Sequence, residues 1–172
     1  MNAINLKSML KYGLFMGTGF CLYTTLMWLT HLDGTYLNIG QYLDMLIVLL
    51  PVAVIFVAIK EELPTKTLLW WQRMLMAMGI GVVSYVIYEP YLYLYHHYIN
   101  PDWFSYVLQL KETELNAAHT APEKITETLQ QMHQANTQQD GLFKLSTFLP
   151  SVVILPGLIA LVSLIFVKKK AA

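Results

Sequence analysis

Four long apolar runs constrain this chain more than any other feature, because each is about as long as a helix must be to cross a bilayer. A helix rises about 1.5 Å per residue and the hydrocarbon layer is about 30 Å thick, so about 20 mostly apolar residues make one span. The runs are Tyr12 to Leu32, Tyr42 to Ile59, Leu68 to Tyr98 and Leu145 to Val167. The second is near the short limit, with Asp44 as its only charge. The third exceeds one perpendicular crossing and is too short for two with a turn, so its tyrosine-rich end is expected to project beyond the bilayer. Composition agrees: 56% of the 172 residues are apolar and 13% charged, against about 45–50% and 25% in soluble domains. Backbone in lipid must satisfy its own hydrogen bonds. The expected fold is therefore all-α: one integral membrane domain over 1–172, a four-helix bundle with a helical hairpin over about 99–142 between the third and fourth spans.

The first run follows Lys7 and Lys11 as the core of a signal peptide would. Its length suits a full span and no small-x-small cleavage site follows, so it reads as a retained signal anchor. Cytoplasmic flanks retain lysine and arginine. Lys7, Lys11, Lys60, Lys66, Arg73, Lys168, Lys169 and Lys170 fall on one side, against Lys111, Lys124 and Lys144 on the other. Both termini are thus expected on the cytoplasmic side. Most acids go the other way: Asp33, Asp44, Asp102, Glu112, Glu114, Glu123, Glu127 and Asp140 flank or fill the outer loops. Trp70 and Trp71 at one end of the third run, and Tyr91, Tyr93, Tyr95 and Tyr98 at the other, match the aromatic belts of both interfaces. Net charge is zero and the bases are scattered, which excludes a nucleic-acid footprint. Cys21 has no partner cysteine, so neither a disulfide nor a thiolate metal site is expected.

Spans associate through small residues and hydrogen bonds rather than hydrophobic burial. Gly13, Gly17 and Gly19 give the first helix a small face, and Ala77 with Gly81, beside Gly79, gives the third another. These faces serve either packing within the chain or an interface with a second copy or another subunit. Pro51, Pro90, Pro150 and Pro156 each remove a backbone donor and favour kinks.

Between the third and fourth runs, Trp103, Phe104, Val107, Leu108, Leu110 and Leu115 form an apolar stripe over Asp102 to Asn116. Thr120 with Glu123, and Pro122 in the first turn, reads as a capping box opening a second helix, on which Ile125, Leu129 and Met132 line one apolar face. The polar stretch from Asn136 to Gly141 reads as the return linker. Such a hairpin either caps the bundle or docks a partner, and in the second case Trp103, Phe104, Ile125, Leu129 and Met132 are the contact candidates.

Glu89 is the most suspicious residue, because an ionisable side chain within a span is costly and often functional. His96 and His97 follow close to its helical face, while His31, Asp33 and Asp44 lie at the same end of the first two runs. A cluster of Glu89, His96, His97, His31 and Asp44 would suit a metal or a proton relay. The bland alternatives are a polar packing network around Glu89 and water-facing placement, and no compact metal motif is present, so no metal site is assigned. His119 and His133 are expected to be solvated, and the Lys168 to Lys170 run to act as a stop-transfer anchor. No nucleophile elbow, phosphate loop, dinucleotide fingerprint or metalloprotease motif occurs, so no catalytic residue and no cofactor is nominated.

The order of features resembles a family of small bacterial membrane proteins, the domain-of-unknown-function family DUF4199. The matching pieces are Tyr12-Gly13-Leu14 with Gly17, Val57-Ala58-Ile59-Lys60, Tyr98-Ile99-Asn100-Pro101-Asp102-Trp103-Phe104, and Val167-Lys168-Lys169-Lys170. Glu61-Glu62-Leu63-Pro64 departs from the more basic, glycine-rich turn expected there. The resemblance implies an envelope membrane protein and brings no established activity or site. The expected function is a non-catalytic membrane accessory protein or subunit, contacting the bilayer and other membrane or periplasmic proteins or a second copy. The alternatives are a small transporter or channel component using Glu89, and a lipid-modifying enzyme with its tyrosine and histidine band at headgroup depth.

Overall fold

A computed structural model describes residues 5–63, 68–138 and 143–167, and the regular structure among them is entirely helical. Six helices follow in order: α1 (Leu6–Leu29), α2 (Leu37–Glu62), α3 (Trp70–Ile99), α4 (Trp103–Ala117), α5 (Pro122–Gln138) and α6 (Leu145–Phe166). Helices α2, α3 and α6 are long and apolar enough to cross a membrane, and the chain is a membrane protein.

Backbone chemistry, rather than hydropathy, sets where these helices begin, end and bend. Asn5 caps α1, its Oδ1 accepting from the Lys7 amide at 3.2 Å. The expected first span to Leu32 stops at Leu29 because His31 adopts the left-handed conformation, φ 57°. The His31 amide donates to the Trp28 carbonyl at 3.0 Å and the Leu32 amide to Met27 at 2.9 Å, which closes the helix end. The chain then doubles back, and α2 begins at Leu37 rather than Tyr42. Gly40 makes that return fit: a Cβ there would lie 2.1 Å from the Leu32 carbonyl oxygen. In α2 the helix is interrupted at Val48, where Pro51 has no amide proton to give the Ile47 carbonyl. A wide turn in α6, Leu149–Ile154, similarly contains Pro150 and is followed by Pro156.

The core forms where Ile55, Ala58 and Ile59 of α2 meet Met76, Ala77 and Ile80 of α3, with Met16 of α1 and Ile159 and Ala160 of α6. Helix α1 runs along α3 in close contact. A Cβ on Gly13 would fall 2.4 Å from Val83 Cβ, and one on Gly17 would fall 3.0 Å from Ile87 Cβ. On another side of α3, Ala77 is fully buried and Gly81 faces α6, where a Cβ would meet Pro156 Cγ at 3.2 Å and Val152 Cα at 3.3 Å.

Polar ties hold the lysine-rich end. Buried Glu62 accepts from Ser8 Oγ at 2.5 Å and from Asn5 Nδ2 at 2.7 Å, joining the end of α2 to the start of α1. Beside it, Lys11 pairs with Glu61 at 3.0 Å, and the Tyr12 hydroxyl donates to the same carboxylate. Arg73, buried to 6% exposure, caps α6: its Nη1 donates to the Ser163 carbonyl at 2.9 Å, to Ser163 Oγ at 3.2 Å and to the Val167 carbonyl at 3.0 Å. Carbonyls at a helix C-terminus lack partners within the helix and carry partial negative charge, so a guanidinium there satisfies both needs.

Substituting Gly13→Leu should destabilise the protein by about 1–3 kcal/mol, since the added side chain has no room against Val83 and must push α1 from α3. Gly19→Ala should be tolerated, because its nearest neighbour is the flexible end of the Leu50 side chain. Thermal unfolding in mild detergent compares the two; equal losses would show that the α1–α3 approach is not the tight one.

Candidate functional site

The candidate site lies at the tyrosine-rich end of α3. Tyr88, Tyr91 and Tyr95 recur at helical spacing and therefore share a face. Their rings stack, with centroids 6.4 Å apart for Tyr88 and Tyr91 and 6.2 Å for Tyr91 and Tyr95. Each hydroxyl reaches α1 or the turn after it: Tyr88 meets Thr24 Oγ1 at 2.9 Å, Tyr91 meets Thr25 Oγ1 at 2.7 Å, and Tyr95 donates to Asp33 Oδ2 at 2.5 Å. Fully buried Tyr95 also accepts from Asn100 Nδ2 at 2.9 Å, and the same amide group donates to the Asp33 carbonyl at 3.0 Å. The end of α3 widens over Tyr95–Ile99, closed by the Asn100 amide bonding to the Tyr95 carbonyl at 2.8 Å, and this delivers the chain into α4.

Two cavities flank this clamp. The larger, about 530 Å³, is walled by α1, α2, α3 and the hairpin, with Tyr23, Asp33, Asp44, Tyr88 and Trp103 among its lining. The smaller, about 340 Å³, is lined by Glu89, Tyr93, His96, His97, Lys144 and parts of the hairpin. Leu92, His96 and Trp103 line both, with the His96 and Trp103 rings 4.6 Å apart, so these three form the partition. His97 lies 4.1 Å from the Tyr93 ring, centroid to centroid, with Nδ1 at 2.8 Å from the Tyr93 carbonyl. Buried His96 Nδ1 has no hydrogen-bond partner among the described residues.

The cluster expected from sequence is thus divided. Glu89, His96 and His97 share the smaller cavity, together with Lys144, which the sequence did not bring to them. Asp44 belongs to the larger one. His31 is exposed, lines neither cavity and ends α1 in left-handed backbone. No group of three or more histidine, cysteine, aspartate or glutamate side chains among the described residues is arranged to hold a metal ion.

Hairpin residues expected to meet a partner face inward. Trp103 packs on His96, Phe104 lies 6.1 Å from the His133 ring, Ile125 is buried, Leu129 is half-buried, and Met132 lines the larger cavity. Helix α5 starts one residue later than expected, with Ala121 at its N-cap, where no side chain can form a capping box. The Ala121 carbonyl accepts from Lys124 and Ile125 at 3.0 and 3.1 Å. Thr120 instead belongs to the end of α4, its amide donating to Leu115 at 3.0 Å beside left-handed His119. Asp33, Asn100 and the Tyr95 hydroxyl were not nominated from sequence as a unit; the tyrosine spacing on α3, opposite the adjacent Thr24 and Thr25, was the available signal.

A family model described as "Protein of unknown function (DUF4199)" matches residues 11–169. No curated protein and no solved structure matches significantly.

Removing the Tyr95 hydroxyl by Tyr95→Phe leaves Asp33 and Asn100 each one partner short, and should cost about 1–3 kcal/mol in unfolding experiments. An unchanged melting temperature would refute the clamp. His31→Gly should leave stability unchanged or raise it by about 1 kcal/mol, because glycine adopts left-handed backbone without the strain a side chain brings. A clear loss of stability in the same assay would show that the imidazole is needed where it sits.

Proposed function

The chain belongs to the DUF4199 family, and from that premise we propose that it is a four-span protein of the bacterial cytoplasmic membrane, acting as a non-catalytic accessory subunit. In this reading α1, α2, α3 and α6 cross the bilayer with both termini inside, and the α4–α5 hairpin is presented to a partner outside. Support for α1 as a span comes from its close apposition to α3 at Gly13 and Gly17, and from the exposed apolar side chains Leu14, Phe15, Leu22 and Leu26. Exposed apolar surface on this scale is stable against lipid tails and unstable against water. The lysine-rich flanks favour the inward orientation.

The observation that carries the accessory role is the placement of α5. It packs chiefly on α4, directs Ile125, Leu129 and Met132 inward, and leaves Glu123, Lys124, Glu127, Gln130, Gln131 and Gln134 exposed. The surface offered to a partner is therefore this polar face, rather than the apolar stripe that the sequence nominates. Across the hairpin, Glu112, Glu114, Glu123 and Glu127 face only Lys111 and Lys124 in the charge balance, which favours a partner with a basic surface.

Reversing two of these charges, Glu123→Lys with Glu127→Lys, should remove co-purifying envelope proteins after cross-linking in native membranes while the unfolding free energy stays within about 0.5 kcal/mol of the parent, as it usually does for exposed substitutions. A partner set identical to the parent's, or recovery of the lone chain in both cases, would overturn the docking role.

A further inference from the structure

The larger cavity combines three features that point to one chemistry. Its volume, about 530 Å³, falls within the range of small-molecule sites, about 300–1,000 Å³. Aromatic rings contribute much of the wall, among them Phe20, Tyr23, Tyr88 and Trp103. Its charges do not balance: Asp33, Asp44 and Glu114 line it with Lys111, and Lys111 is committed to Glu114 at 2.9 Å. The other two carboxylates are held by neutral hydroxyls, Asp33 by Tyr95 at 2.5 Å and Asp44 by Tyr23 at 2.9 Å. Hydroxyl donors orient a carboxylate without neutralising it, and a carboxylate beside apolar walls gains from a cation. Aromatic faces attract cations as well, through the ring quadrupole. An anionic or neutral polar ligand would leave both demands unmet.

We propose that this cavity binds a lipophilic organic cation, with its charged centre near Asp33 and Asp44 and its apolar body against the aromatic wall. Asp44, which is exposed, stands at the open side, whereas half-buried Asp33 is fixed by the clamp that also ends α3. The larger cavity is distinct from the smaller one, where Glu89 is accompanied by Lys144. Ligand binding here is independent of the role assigned to the hairpin's outer face, so either idea can fail alone.

Tetraphenylphosphonium is a suitable probe, with tetraphenylborate as its anionic counterpart of the same shape, each titrated separately into the full-length protein in a neutral maltoside detergent. Saturable binding of the cation is expected, with at least tenfold weaker binding of the anion. Asp44→Asn, an exposed and isosteric change, should weaken cation binding about tenfold while leaving the melting temperature unchanged, and Trp103→Leu should weaken it as well. Glu89→Gln, in the other cavity, should have no effect on cation affinity. Absence of saturable cation binding would overturn the proposal, as would equal binding of the anion, or an Asp44→Asn affinity equal to the parent's. Displacement of the bound cation by millimolar calcium at a stoichiometry of one ion per chain would also overturn it, marking the carboxylates as a metal site.

Discussion

Close approach of α1 to α3 at Gly13 and Gly17 is the contact on which the tyrosine-rich end depends. Lipid tails solvate leucine as well as another helix does, so packing between spans must come from short-range contact and hydrogen bonds. With no side chain at Gly13, the α1 backbone comes near Val83 and the Ile80 carbonyl. That proximity lets Thr24 and Thr25 reach the hydroxyls of Tyr88 and Tyr91, three or so turns further along. A longer side chain at the glycine would open a gap that these hydrogen bonds cannot span. The packing face and the polar clamp are thus one device, read at two points along the same helix pair.

Opposite ends of the bundle solve the same problem with different chemistry. At the lysine-rich end, charged groups satisfy helix termini: Glu62 takes the Ser8 hydroxyl and the Asn5 amide, and Arg73 takes the carbonyls that close α6. Charge-assisted bonds of this sort are stronger than neutral ones and fix geometry firmly. At the tyrosine-rich end the ties are mostly neutral hydroxyl bonds, with Asp33 as the charged member. Hydroxyl donors orient Asp33 and Asp44 without neutralising them, which leaves negative charge facing the larger cavity.

How much of this was legible in the sequence follows from what each feature depends on. The apolar runs depend on composition alone, so α2, α3 and α6 could be read directly, as could the two helices of the hairpin and the family resemblance. Helix ends depend on backbone conformation, and a histidine in left-handed backbone, unlike a glycine, leaves no signature; hence α1 stops at Leu29 where hydropathy continues to Leu32. Arg73 counted as one more lysine-like marker of orientation, because its partners Ser163 and Val167 lie on a helix far along the chain. Glu89, His96 and His97 could be grouped by helical phase, since phase is a local property. Separating them from Asp44 required the ring of Trp103 to lie against His96, a contact decided by how α4 folds back over α3.

That one ring contact also determines the chemistry available on each side. Trp103 closes over the α3 face at Leu92 and His96, which lines both cavities. Lys144 shares its space with Glu89, whereas Asp33 and Asp44 share theirs with Lys111, which pairs with Glu114 at 2.9 Å. The hairpin is therefore more than a cover: by placing Trp103 at the start of α4 against His96, it stands between Glu89 with Lys144 on one side and Asp33 with Asp44 on the other.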